Sequence, residues 1–385
     1  MKKVTLFINS LTSGGAERVL SIIATELVAQ NIEVHLLCIE KDNVYNIPKE
    51  LHITYLSNLN KHDNALKKLL YIPYLAYKLK KYIKKHNTKL IQSHIYRANF
   101  TNILAKLFGA NHQVQVVEVT SINNLKNGSF SKKINFLLIK TLYKHADMVI
   151  FKAQKMKEEF LQNIPKIKQY SVINNPYDIQ KISSLANEPI QDFKFCNSKK
   201  YIISVGRLSS EKRFISLIKG LNSLHNNIEL LLIGEGEEKN TLKEYAISQK
   251  LEQRVHLLGQ KENPFKYIKQ AELFILASQG EGFPNVIVEA MICATPVIST
   301  DCISGPREIL APNSNINFQL KSNIELAQNG ILYPIDNEQS LTLAINTLLN
   351  DKVKQNTYIK NALQQSENYA IKKIIQEYKE ILCVG

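Results

Sequence analysis

The sequence predicts an α/β protein of two Rossmann-like, doubly wound parallel-sheet domains, and three observations carry that expectation. A chain of 385 residues exceeds one ordinary core, so two domains of roughly 150–200 residues are the default. Short β-rich runs alternate with helical patterns along its whole length, the rhythm of βαβ units. That rhythm breaks once, where Asn174, Asn175 and Pro176 lead into a polar stretch containing Pro189. The break sets the domains at 1–178 and 179–369, followed by a terminal segment 370–385.

In the first series, strands are expected at 4–9, 34–39, 53–56, 90–93, 114–119, 148–151 and 171–173. Helices fall at 16–29, 64–86, 98–108, 131–146 and 153–161. The second series has strands at 201–205, 228–233, 255–258, 273–276, 296–299 and 330–333. Its helices lie near 212–224, 237–249, 286–293, 338–350 and 352–366, and 370–383 reads as a last helix. Two such halves joined by a linker are expected to face a cleft, and open α/β sheets bind ligands beyond the carboxyl ends of their strands.

Composition narrows the class. The hydrophobic share of 44% and charged share of 22% are globular, and 14 Gly and 11 Pro are too few for a fibrous or disordered chain. No run approaches the ~18 apolar residues of a spanning helix, and the Lys-rich start lacks an apolar signal core. A soluble protein that stays in the compartment where it is made is expected. Five cysteines without CxxC spacing fit reduced thiols, and the nine histidines show no metal-ligand spacing.

The net charge of +15 is unevenly placed: residues 1–178 hold 26 Lys and Arg against 12 Asp and Glu, residues 179–385 hold 23 against 22. One half is therefore expected to face a polyanion. Residues 61–89 contain nine Lys and one Asp, interleaved with Leu66, Leu69, Leu70, Tyr74, Tyr77 and Leu79; residues 126–144 add five Lys and no acid. Such a basic helix suits an anionic membrane interface. The plainer reading is a domain helix whose lysines are merely solvated. No nucleic-acid module is recognisable, so nucleic acid is not an expected partner.

Three motifs carry chemistry. After the strand 273–276, the run EGFPNVIVE at 281–289 makes a tight loop feeding a helix. Its helix start offers N–H groups to an anion, Glu281 sits where it can reach a sugar, and Glu289 falls a turn inside. After the strand 201–205, Arg207 and Lys212 supply two cations suited to a diphosphate leaving group. After the first strand, Gly14 and Gly15 permit close approach to a backbone at a helix start. This is not GxGxxG, and Gly234 with Gly236 reads as a turn after a strand.

Taken in register with SGPRE at 304–308, these motifs resemble family 4 retaining glycosyltransferases of the GT-B fold along essentially the whole chain. The nearest likeness is to bacterial enzymes that add hexoses or N-acetylhexosamines to lipid-linked glycans, lipopolysaccharide or capsule precursors. The resemblance implies that Arg207 and Lys212 neutralise the donor diphosphate, Glu289 binds the ribose and Glu281 contacts the transferred sugar. Gly282, Phe283 and Asn285 would surround that sugar, while Asn285 and Val286 N–H groups meet the diphosphate. Gly14 and Gly15 would approach from the other domain, and the nucleobase would lie near residues 259–261. It further implies a UDP-linked donor, no metal or other cofactor, and a peripheral place on the inner face of the cytoplasmic membrane.

One departure stands out. Relatives carry a His on the loop after the strand matching 114–119, where this chain has Val119 or a neighbour. Glu118, Thr120 or His94 are the polar groups that could substitute. A non-catalytic nucleotide-sugar-binding protein and a nucleotide-sugar epimerase are the alternative readings.

Overall fold

The computed structural model describes residues 3–12, 14–43, 48–60, 62–126 and 128–383. The chain divides into two compact units, Met1–Pro176 with Ile371–Gly385, and Tyr177–Ala370. Among the described residues no helix is long and apolar enough to cross a membrane.

The first unit runs β1 (Lys3–Ile8), α1 (Gly15–Ala29), β2 (Glu33–Cys38), β3 (His52–Tyr55), α2 (Ala65–Leu70), α3 (Ile72–His86), β4 (Leu90–His94) and α4 (Tyr96–Leu107). It continues with β5 (Gln113–Glu118), α5 (Ile122–Lys126), α6 (Phe130–Leu142), β6 (Met148–Phe151), α7 (Gln154–Asn163) and β7 (Tyr170–Val172). Its parallel sheet has the order β3-β2-β1-β4-β5-β6-β7. A strand covered on both faces is apolar throughout, and β1 shows why. Val4, Leu6 and Ile8 enter the layer of Leu20, Ile23 and Leu27, whereas Phe7 enters that of Leu75, Leu79 and Ile83.

The helix expected over 64–86 is two helices, parted at Tyr71. Pro73 has no N–H to offer the Leu69 carbonyl, and its ring crowds that same carbonyl, so one helix cannot run through.

The second unit holds α8 (Ile179–Ala186), β8 (Lys200–Val205), α9 (Phe214–Leu221), β9 (Ile228–Ile233), α10 (Lys239–Ser248), β10 (Val255–Gly259), α11 (Phe265–Gln270) and β11 (Leu273–Leu276). There follow α12 (Asn285–Ile292), β12 (Val297–Thr300), α13 (Pro306–Leu310), β13 (Glu325–Leu326), β14 (Ile331–Tyr333), α14 (Glu338–Leu349) and α15 (Lys352–Ser366). The sheet order is β10-β9-β8-β11-β12-β14-β13, parallel except for the edge strand β13. Sequence reading missed α8, although Asp178 caps it by accepting a hydrogen bond from the Lys181 N–H at 3.0 Å.

The final helix, α16 (Ile371–Leu382), belongs to the first unit. Ile374, Ile375 and Tyr378 enter the core beside α1, the Gln115 side chain donates to the Ile381 carbonyl at 2.7 Å, and Lys379 donates to Gln30 at 3.0 Å. Tyr378 also accepts a hydrogen bond from the buried Lys152 ammonium group, whose pKa burial lowers to about 7. Tyr378→Ala should therefore destabilise the first unit by about 3–5 kcal/mol, the usual cost of a large aromatic cavity. Urea unfolding checks this, and a loss under about 1 kcal/mol would show that α16 is only loosely attached.

Candidate active site

In the second unit the strand order reverses between β8 and β11, with β9 on one side and β12 on the other. Ligands of doubly wound sheets sit beyond such a reversal. The loops leaving β8 and β11 carry the residues that the sequence singled out.

The β8 loop is shaped by two glycines. Gly234 has φ +147°, and a Cβ there would lie 1.8 Å from the Gly206 carbonyl oxygen; one at Gly236 would lie 2.3 Å from that of Leu208. Only glycine allows this approach. It lets Leu208 N–H donate to Glu235 and Glu238 N–H donate to Leu208, at 3.0 and 2.9 Å. Held in this way, the loop leaves Arg207 exposed, with no side-chain partner among the described residues, and turns through Ser210–Lys212.

The β11 loop comes back to meet it. Lys212 Nζ donates to Glu281 Oε1 at 2.6 Å, joining residues 69 positions apart. Residues 303–305 brace that loop from its other side. Glu281 N–H points to the Ile303 carbonyl at 3.4 Å, and Ser304 Oγ donates to the Gly282 carbonyl at 2.9 Å. Gly305, at φ +87°, lies so near Pro284 that a Cβ would fall 2.3 Å from its ring.

Helix α12 then starts with Pro284 as its cap and no capping side chain. The Asn285 side chain is engaged by Tyr177, whose hydroxyl donates to Asn285 Oδ1 at 2.6 Å. Val286 is half-buried beside it, and Phe283 packs edge-on against Tyr369 with ring centroids 5.4 Å apart. Glu289 lies one turn into α12 and is 2% exposed.

The first unit supplies different groups at the carboxyl ends of its strands. Gly14 caps α1 in an extended conformation, and Ser13 lies outside the described residues. The Glu17 carboxylate covers Gly14, with Oε2 2.1 Å from where a Cβ would be, so an acid already stands at this helix start; Gly15 beside it is exposed. His94 is buried with Nε2 3.1 Å from Gln92 Oε1. Burial, reinforced by Lys152, holds its imidazole well below the usual range. The ring is 1% exposed, so little of it meets solvent.

Glu118 is also enclosed, at 1% exposure. It accepts from the Tyr143 hydroxyl, while its Oε2 and the neighbouring Asn99 Oδ1 have no hydrogen-bond partner among the described residues. Burial raises its pKa to about 8. Of the three groups considered for the position after β5, only Thr120 is partly exposed.

Several features had little or no local signal. Ile95, a β-branched residue at φ 70°, turns the chain from β4 into α4. Lys68 and Arg97 both pair with buried Glu40, at 3.0 and 2.7 Å.

Two family models match in tandem: Glycosyltransferase Family 4 over residues 13–181 and Glycosyl transferases group 1 over residues 187–365. A curated relative from Campylobacter jejuni, the N-acetylgalactosamine-N,N'-diacetylbacillosaminyl-diphospho-undecaprenol 4-alpha-N-acetylgalactosaminyltransferase, is 31% identical over 98% of both chains. The chain is a family 4 glycosyltransferase. Another relative of this glycosyltransferase, the lipopolysaccharide 1,6-galactosyltransferase of Salmonella typhimurium, is 30% identical over 44% of this chain and 47% of its own. Solved structures agree on the GT-B fold. Anabaena HepE in complex with UDP has a TM-score of 0.75 at 21% identity, covering 99% of both chains. Sucrose-phosphate synthase from Thermosynechococcus elongatus scores 0.81 at 17% identity, over 99% of this chain and 98% of that one.

Glu118 gives a pH test of the glycosyltransferase's first unit. Its folded pKa of about 8 lies above the ordinary 4.5. Its contribution to stability is thus full below about pH 4.5 and is lost as pH rises through about 8. Melting temperatures should show Glu118→Gln gaining on the wild type between pH 5 and 9. A difference that stays constant with pH would mean that the carboxyl is ionised throughout.

Proposed function

We propose that this glycosyltransferase moves a hexose or N-acetylhexosamine from a UDP-linked donor to a lipid-linked glycan, lipopolysaccharide or capsule precursor. Anomeric configuration is retained and no metal is needed. The observation that carries the reading is the Lys212–Glu281 contact at 2.6 Å, with Arg207 exposed on the same loop as Lys212. Departure of a nucleoside diphosphate builds negative charge, and two cations on one loop stabilise it as it forms. Glu281 then faces the sugar, the α12 start with Gly282, Phe283, Asn285 and Val286 faces the phosphates, and Glu289 faces the ribose.

The unit Tyr177–Ala370 binds the donor and the basic first unit binds the acceptor. UDP in the Anabaena structure and the lipid-linked acceptor in the Campylobacter relative's name support those choices. The first unit contributes Gly14 and Gly15 at the start of α1. His94, being enclosed, serves there as a structural group, and Thr120 with the backbone takes the place of the family histidine.

The same unit docks peripherally on an anionic membrane, at the inner face of the cytoplasmic membrane. Helix α3 turns Ile72, Leu75, Ala76, Leu79 and Ile83 into the core, which accounts for Leu79. Leu66 and Leu70 remain exposed one turn apart on α2, as do Tyr74 and Tyr77 on α3. Lys78 and Lys81 lie over the Tyr74 and Tyr77 rings at 5.2 and 4.6 Å. Phe130 and Leu137, two turns apart on α6, are 80% and 59% exposed among lysines. Apolar side chains ringed by ammonium groups match a bilayer surface that is anionic outside and apolar beneath.

Alanine at Arg207, Lys212 or Glu281 should each lower transfer at least ~100-fold, the scale of one lost transition-state contact. EDTA should leave the wild-type rate unchanged. Wild-type rates in those variants would remove the assignment. Donor binding without turnover would favour a non-catalytic binding protein, and a new nucleotide-sugar formed without acceptor would favour an epimerase. Changing Leu70, Tyr74 and Tyr77 to Ser should reduce sedimentation with vesicles containing anionic lipid while donor binding stays intact; equal partitioning would sink the membrane surface.

A further inference from the structure

The SGPRE run at 304–308 has no part in the chemistry proposed above, yet its arginine is the most fully bonded cation described in the second unit. Arg307 is 5% exposed. Its Nε and Nη2 donate to the two oxygens of Asp301 at 3.0 and 2.6 Å, and Nη1 and Nη2 donate to the two oxygens of Glu325 at 3.2 and 2.8 Å. Nη1 also donates to Ser314 Oγ at 3.1 Å. All five guanidinium donors are thereby used, in two bidentate forks that no lysine can reproduce.

These partners fix a short piece of chain at both ends. Asp301 directly follows β12, Arg307 is the second residue of α13, and Glu325 stands on β13. Between Asp301 and Arg307 the backbone passes through two consecutive left-handed residues, Ser304 at φ 68° and Gly305 at φ 87°. A serine in that region carries a conformational cost, so the turn persists only where its surroundings impose it. The same turn supplies the brace of the β11 loop: Ile303 against Glu281, Ser304 against Gly282, and Gly305 against Pro284.

We propose that Arg307 is a positioning residue for donor recognition: by clamping Asp301 and Glu325 it sets the 303–305 turn, which in turn sets Glu281 and the entry to α12. The inference rests on the reading that the 281–285 loop receives the nucleotide-sugar. Arg307 itself stays enclosed and touches no substrate. Asp301 has a second duty, accepting from the Leu320 N–H at 2.7 Å. Loss of the clamp leaves that bond in place and removes the tie between Asp301, the start of α13 and Glu325.

The test uses the purified full chain carrying Arg307→Lys, with Leu348→Ala as a control. Leu348 is fully buried on α14 and reports what a general loss of stability does. In Arg307→Lys, donor kcat/KM should fall about 10–100-fold, the scale of a reacting group misplaced by about 1 Å. In Leu348→Ala it should change less than about twofold at an equal or larger fall in Tm. Hydrogen exchange at residues 280–286 should speed up in Arg307→Lys alone, and this readout needs no donor. Unchanged exchange there, or equal effects in both variants, would overturn the proposal. A wild type that uses no nucleotide-sugar, with exchange at 280–286 still raised in Arg307→Lys, would instead remove the donor reading and leave the brace standing.

Discussion

Glu281 is a carboxylate placed among groups suited to hold a diphosphate, and like charges at about 4 Å repel by about 4 kcal/mol at an effective dielectric constant of 20. The ion pair with Lys212 is what makes that placement tolerable. It draws together two loops that the chain separates by 69 residues but that the sheet order sets side by side at β8 and β11. Each loop is held by backbone packing that only glycine permits: Gly234 and Gly236 under the first, Gly305 beside the second. Remove the pair, and the Glu281 carboxylate is left without its cation beside the start of α12.

The first unit follows a different principle. Its strand ends carry Glu118, His94 and Lys152, all buried and all shifted towards their neutral forms. A neutral buried group keeps its hydrogen bonds without the cost of an enclosed charge. Where a buried charge remains, at Glu40, Lys68 and Arg97 pair with it, and further lysines lie at the surface around Tyr74 and Tyr77.

The alternation of strands and helices was legible because most strands here are apolar on both faces, and such runs stand out from helical spacing. Reading failed where a single residue decides. Pro73 splits a helix whose apolar spacing runs on regardless, and Asp178 starts one inside a stretch that looks like linker. The residues singled out in the second unit stood out as motifs because each motif lies within one loop. Its supports were not: Tyr177 reaches Asn285 across 108 residues, and Arg307 reaches a two-residue strand that no periodicity could reveal. Buried residues were the other failure, since nothing in the sequence near His94 tells a strand-end histidine that meets solvent from one that is enclosed.

The central claim is that the second unit holds a nucleoside diphosphate sugar between Arg207, Lys212 and the start of α12. Its most direct test is the melting temperature of the full chain against a panel of nucleotides and nucleotide-sugars, in EDTA. A ligand at about 100 times its dissociation constant adds about 2.7 kcal/mol to stability. The account predicts a clear rise with UDP and UDP-sugars, one that Lys212→Ala abolishes. No rise with any nucleotide would contradict it, and the chain would then keep the fold of its relatives without their chemistry.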